Sequence, residues 1–154
     1  MHIDEKAPVS ASGSIEIAAS PREVWAVLTD IEGWPRWNPD VYEASMDGPL
    51  EAGTRFRRKA GTGTITSVLQ IVVPEQKTVW SGTPMGVHAR HGWRLEPTQW
   101  GTLLTSEESW RGWSARLMHW RMAEALRGAT GIGLHHLKAE AELRSRVAAL
   151  VPAA

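Results

Sequence analysis

Apolar and polar residues alternate from Ser14 to Ala18, with Ile15 and Ile17 on one side, the period of a half-buried strand. Ser20-Pro21-Arg22-Glu23 then has the pattern of a capping box, with proline at the first helical position, where its missing N–H costs nothing. Val24, Val27, Leu28 and Ile31 form one apolar stripe with Trp25 at its edge, and Gly33 and Pro35 stop the helix. A tryptophan-rich corner, Trp34-Pro35-Arg36-Trp37-Asn38-Pro39, leads into extended chain, because a residue before proline is biased away from helix.

Period-2 segments follow over 41–47, 53–59, 64–73, 78–82, 87–95 and 102–110, separated by Gly- and Pro-bearing turns. Their parity predicts shared faces: Thr54, Phe56 and Arg58; Ile65, Ser67, Leu69 and Ile71; Thr78, Trp80 and Gly82. On the last two strands it groups Val87, Ala89, His91, Trp93 and Leu95, and then Thr102, Leu104, Ser106, Glu108 and Trp110. From Ser114 the period changes to that of a helix running toward Leu150. A straight helix of that length would span roughly 55 Å, too long for a domain with a radius of gyration of about 15 Å. The helix is therefore expected to bend or to end early, with Gly128, Gly131 and Gly133 as the weak region. The expected fold is α+β: a curved antiparallel sheet of about seven strands around a long C-terminal helix, with two short helices after the first strand. Residues 1–12 are expected to be a flexible lead-in and 13–150 a single domain.

Composition narrows the function classes. The chain has 154 residues, 17 basic and 17 acidic, and no cysteine. Disulfides, zinc–thiolate sites and cysteine nucleophiles are excluded, and the charge balance gives no sign of nucleic acid or an anionic membrane as partner. No histidine spacing matches a zinc signature, and no metal or cofactor is expected. The N-terminal residues lack the basic start and apolar run of a signal peptide, so a cytoplasmic protein without membrane insertion, monomeric or homodimeric, is expected. Nine tryptophans stand against one tyrosine and one phenylalanine. Each Trp either packs the core or presents a flat wall to a cavity for a ring-containing ligand.

Three segments together resemble the START-like, or SRPBCC, superfamily of polyketide cyclase/dehydrase and lipid transport type: S-P-R-E-V-W to W-P-R-W-N-P, then V-W-S-G-T-P-M-G-V-H-A-R-H-G-W-R-L-E-P with G-T-L-L-T-S-E-E-S-W-R-G, and the closing L-K-A-E-A-E. The resemblance implies a helix-grip fold with an internal cavity and an apolar, ring-containing small molecule or lipid as its content. It leaves open whether the molecule is only held, or is transformed by a cofactor-independent polyketide cyclase, aromatase or dehydratase acting on a cyclic or poly-carbonyl substrate. A chaperone-activator-like protein–protein module is a third reading.

The candidate ligand contacts are Phe56, Leu69, Trp80, Trp93 and Trp110 by strand parity, Trp34 and Trp37 of the corner, and Met118 and Met122 at helical spacing. His91 and Glu108 on consecutive strands are a candidate base and its orienting carboxylate, or alternatively a structural pair closing off buried polar groups. Arg58 either follows Phe56 inward, where it would stabilise an oxyanion, or reaches water from the sheet edge. Ser106 and Ser109 lie in no nucleophile-elbow sequence.

Overall fold

The computed structural model describes residues 7–151. Seven antiparallel strands form one sheet in the order β1-β7-β6-β5-β4-β3-β2. These are β1 (Val9–Ile17), β2 (Glu43–Met46), β3 (Arg55–Ala60), β4 (Gly63–Val73), β5 (Lys77–Gly82), β6 (His88–Thr98) and β7 (Gly101–Arg111). Only the β1–β2 connection is not a hairpin; it holds α1 (Pro21–Thr29) and a 3₁₀ helix over Ile31–Arg36. After β7 come α2 (Trp113–Leu117) and α3 (His119–Leu150). This is the α+β, helix-grip-like arrangement expected: one sheet around a long C-terminal helix, with short helices after the first strand.

Local chemistry fixes the start of α1. Ser20 accepts from the Glu23 N–H, and the Glu23 carboxylate accepts from the Ser20 N–H at 2.8 Å, so two otherwise orphaned donors are satisfied. The corner that follows is held by the Trp34 indole, which donates to the Leu28 carbonyl at 3.0 Å. This bond folds the 3₁₀ helix back on α1 and turns the Trp34 ring inward.

Two expectations are corrected. Strand β1 begins at Val9, so Val9–Ser12 pair with Trp110–Glu107 of β7 and are not lead-in; residues 1–6 of the expected lead-in lie outside the described residues. Val9 and Ala11 are buried against Ala115 and Leu126. The C-terminal helix interrupts at Met118 (φ −118°, ψ 27°), and α3 then runs unbroken through Gly128, Gly131 and Gly133. Its 32 residues span about 48 Å at 1.5 Å per residue. Packing on β1 supports the helix through the glycines: a Cβ at Gly13 of β1 would stand 3.0 Å from Leu134 of α3, so the missing side chain lets helix and strand approach.

The core lies between the concave face of the sheet, α1 and the second half of α3. Ile17, Leu28, Phe56, Leu69, Leu104 and Leu137 are all at or near zero exposure there. At the β6–β7 turn, Gly101 has φ 142°, and an added Cβ would fall 2.2 Å from the Ile17 carbonyl. A glycine is required where the turn crosses the end of β1.

Candidate functional site

The inward-facing residues of β3, β5, β6 and β7 stop short of filling the space beneath α3. Two adjoining chambers of about 190 Å³ and 230 Å³ remain, both walled by Arg58, Trp80, His91 and Glu108. Neither alone reaches the roughly 300 Å³ usual for a small-molecule site, and the two together do. The first is closed by Trp34, Trp37, Trp93 and, from α3, Ala129, Gly133 and Leu137. The second extends toward Val87, Trp110 and Met122.

Aromatic rings form a continuous wall. Trp34, Phe56 and Trp80 meet with centroids 5.6–5.7 Å apart, the Phe56 ring standing nearly perpendicular to both indoles. Trp80 continues to Trp93 at 6.3 Å. His91 stacks on Trp93 at 4.7 Å and leans on Trp80 at 5.1 Å, so its imidazole is fixed by two indoles.

The predicted cross-strand pair is in register: His91 lies opposite Glu108 on β6 and β7. The His91 Nδ1–Glu108 Oε2 distance is 3.5 Å, an electrostatic contact longer than a good hydrogen bond. The other carboxylate oxygen accepts from the Trp110 indole at 2.7 Å. On its far side His91 Nε2 meets Ser106 Oγ at 2.8 Å. A carboxylate beside Nδ1 favours the tautomer with the proton there, which leaves Nε2 to accept from the Ser106 hydroxyl. Both ring nitrogens are therefore engaged, and Ser106 must rotate away before Nε2 can take a proton from elsewhere.

Burial pushes the His91 pKa below its ordinary 6.5; the nearby Arg58 cation pushes the same way and Glu108 opposes. The ring is neutral at neutral pH. Burial also lowers the Arg58 pKa, again opposed by Glu108, but arginine stays cationic throughout the physiological range. Arg58 pairs in register with Ala44 and Ile65, and its half-buried side chain reaches the boundary between the chambers. Its inward course, rather than a purely edge position, follows from sharing the face of the fully buried Phe56.

The candidate ligand contacts separate into three groups. Trp34, Trp37, Trp80 and Trp93 line the first chamber, and Trp80, Trp110 and Met122 line the second. Phe56 and Leu69 share the predicted face but are sealed behind the walls, at 0% and 1% exposure. Met118 lines neither chamber: it sits in the break between α2 and α3, 46% exposed. Beyond the candidates, the first chamber is also lined by Ser106, Thr130, Ala129 and Gly133, and by Asn38 and Asp40 of the corner. Ala129 and Gly133 are four apart on α3, so two small residues on one helical face create the room above the tryptophans. Among the described residues no cluster of three or more His, Asp or Glu side chains is placed to hold a metal, and no helix is long and apolar enough to cross a membrane.

Solved structures share this architecture. A hypothetical protein from Helicobacter pylori superposes with a TM-score of 0.79 at 16% identity, over 90% of this chain and 91% of that one. The ZhuI aromatase/cyclase from Streptomyces sp. R1128 gives 0.76 at 20% identity, over 92% of this chain and 98% of its own. The di-domain aromatase/cyclase StfQ of the steffimycin biosynthetic pathway gives 0.76 at 21% identity, with 88% of this chain matched to 51% of that chain. These are likenesses of fold. A comparison with curated protein sequences finds no match. The family model for "Polyketide cyclase / dehydrase and lipid transport" matches residues 8–142, nearly the whole chain, and the protein belongs to that family.

Proposed function

We propose that the protein binds an apolar, ring-containing small molecule in the paired chambers between sheet and α3. The carrying observation is the wall of Trp34, Trp80 and Trp93 facing open space beneath Ala129 and Gly133. Flat aromatic walls bind flat ligands through large contact area at low entropy cost. Arg58, at the waist, is the donor for a ligand oxygen. The indole N–H groups of Trp37 and Trp93 and the Thr130 hydroxyl are buried beside the first chamber without a hydrogen-bond partner among the described residues, which also favours a ligand bearing oxygen acceptors.

A second reading is favoured by one further observation, the His91–Glu108 pair at the same waist as Arg58. On that reading the ligand is a poly-carbonyl compound that cyclises in place. The carboxylate of Glu108, or His91 once Ser106 has turned away, takes a proton from a carbon between two carbonyls. Arg58 holds the enolate oxygen. The enolate carbon bonds to a second carbonyl carbon, whose oxygen takes the proton back; loss of that hydroxyl with a neighbouring proton, as water, completes a dehydration. The chamber shape brings the reacting carbons together.

Native mass spectrometry after incubation with a small-molecule extract of cells that naturally make the protein distinguishes these readings. A compound retained unchanged supports binding alone. A compound altered in mass, with the change abolished in His91→Ala or Arg58→Leu while retention survives, supports the second. No retained and no altered compound refutes both.

A further inference from the structure

Large exposed apolar side chains gather at one corner of the fold. Trp113 (78% exposed), Leu117 (73%) and Trp120 (61%) all lie between the end of β7 and the first turn of α3. Trp113 and Leu117 are four apart in α2 and share a face, while Ala115 between them points into the core. Every residue from Arg116 to Arg121 is exposed, so the break at Met118 is a protruding tip rather than a groove.

The tip is basic. From 113 to 127 the chain carries Arg116, Arg121 and Arg127, all exposed, against the single acid Glu124. None of the three arginines makes an ion pair among the described residues, and the Arg121 guanidinium lies 5.2 Å over the Trp120 ring. Trp120 and Arg127 are seven apart in α3 and share one face, with Glu124 between them as the one acid in that row; the three arginines of the tip outnumber it beside the aromatic edge.

We propose that this corner docks on an anionic lipid surface, with Trp113, Leu117 and Trp120 entering the headgroup–acyl boundary and the arginines meeting lipid phosphates. Indole rings favour that boundary, and basic residues around an apolar face are the pattern of interfacial helices. A protruding wedge fits a deformable layer, whereas a folded partner would need a matching pocket. A second copy docking by a two-fold axis would bring the same arginines against one another. Overall neutrality hid this patch, because the compensating acids lie elsewhere in the chain. The corner also adjoins the second chamber: Met122 of α3 and Trp110 of β7 line it, and Gly112 lies against Gly86 and Val87 at its edge. A lipid-dissolved ligand would therefore meet the protein next to its cavity. The docking itself stands on the surface alone; only this last link rests on the proposed binding function.

Sedimentation of the purified protein with phosphatidylcholine vesicles, with and without phosphatidylserine, tests the proposal. Wild type is expected to sediment with phosphatidylserine-containing vesicles and to bind about tenfold or more weakly when that lipid is omitted or the salt is high. The double variant Trp113→Ser, Trp120→Ser is expected to stay in solution while its circular dichroism and its binding of an aromatic probe in the cavity match wild type. No sedimentation of wild type, or equal sedimentation of the variant, overturns the proposal. A dimer on gel filtration that the variant abolishes, without vesicle binding, gives the surface to a second copy and overturns it equally. Vesicle binding that persists when no cavity ligand is found leaves docking intact and refutes only the cavity reading.

Discussion

Acidification is expected to destabilise the protein through His91 in a defined window. The ring is 14% exposed, stacked on Trp93 with Trp80 tilted against it, and burial dominates the lowering of its pKa below 6.5. The unfolded chain therefore binds a proton at His91 before the folded chain does. Stability has no His91 penalty well above pH 6.5, falls as the pH drops through that value, and levels off below the folded-state pKa. The slope within the window approaches about 1.4 kcal/mol per pH unit. Glu108 faces the ring and limits the effect, and Arg58 reinforces it. Glu23 and Glu142, whose pKa values lie below the ordinary 4.5, hold stabilising contacts that are lost only in more acid solution. Urea unfolding of wild type and His91→Gln between about pH 8 and pH 5 reads the difference directly. Wild type should lose stability more steeply than the variant below pH 6.5. Parallel curves, or an imidazole resonance titrating at or above 6.5, would refute the assignment of a desolvated neutral histidine.

Removing the helix cap by Ser20→Ala should cost about 1 kcal/mol, read as a drop of roughly 2–4 °C in the thermal midpoint, with cavity binding unaffected. Gly101→Ala places a Cβ against the Ile17 carbonyl at a φ of 142°, and should cost at least about 1–3 kcal/mol in backbone strain; chemical denaturation checks it, and a neutral result would mean that the turn relaxes without resistance from β1.

The site's side-chain directions were legible from strand parity. His91 and Glu108 are on consecutive strands joined by a Gly-containing turn, and period-2 alternation turned both inward. The same rule carried Arg58 in with Phe56. Parity gives a direction but not a depth, which is why Phe56 and Leu69 proved to be sealed behind the cavity walls. The start of β1 was obscured because Val-Ser-Ala-Ser-Gly-Ser is small and weakly apolar; its pairing with β7 and its burial under Leu126 supply what the segment lacks. The helix break at Met118 has neither Gly nor Pro to announce it. The three glycines that looked like a weak region lie instead within unbroken helix packed on β1, and Gly133 leaves space over the tryptophans. Tryptophan count alone could not separate cavity walls from Trp100, Trp113 and Trp120, which face solvent.

The central claim, a ligand space between the tryptophan wall and α3, is tested most directly by closing it. Gly133 borders the first chamber, and a Cβ there meets nothing within 4 Å. Gly133→Leu should fill the chamber while adding helix propensity worth about 1 kcal/mol. Titration of wild type and variant with phenylnaphthylamine, an uncharged two-ring fluorescent probe, is the measurement. The account predicts saturable binding by wild type, at least about tenfold weaker binding by Gly133→Leu, and a thermal midpoint no lower than wild type. Equal binding by a stably folded Gly133→Leu would contradict it.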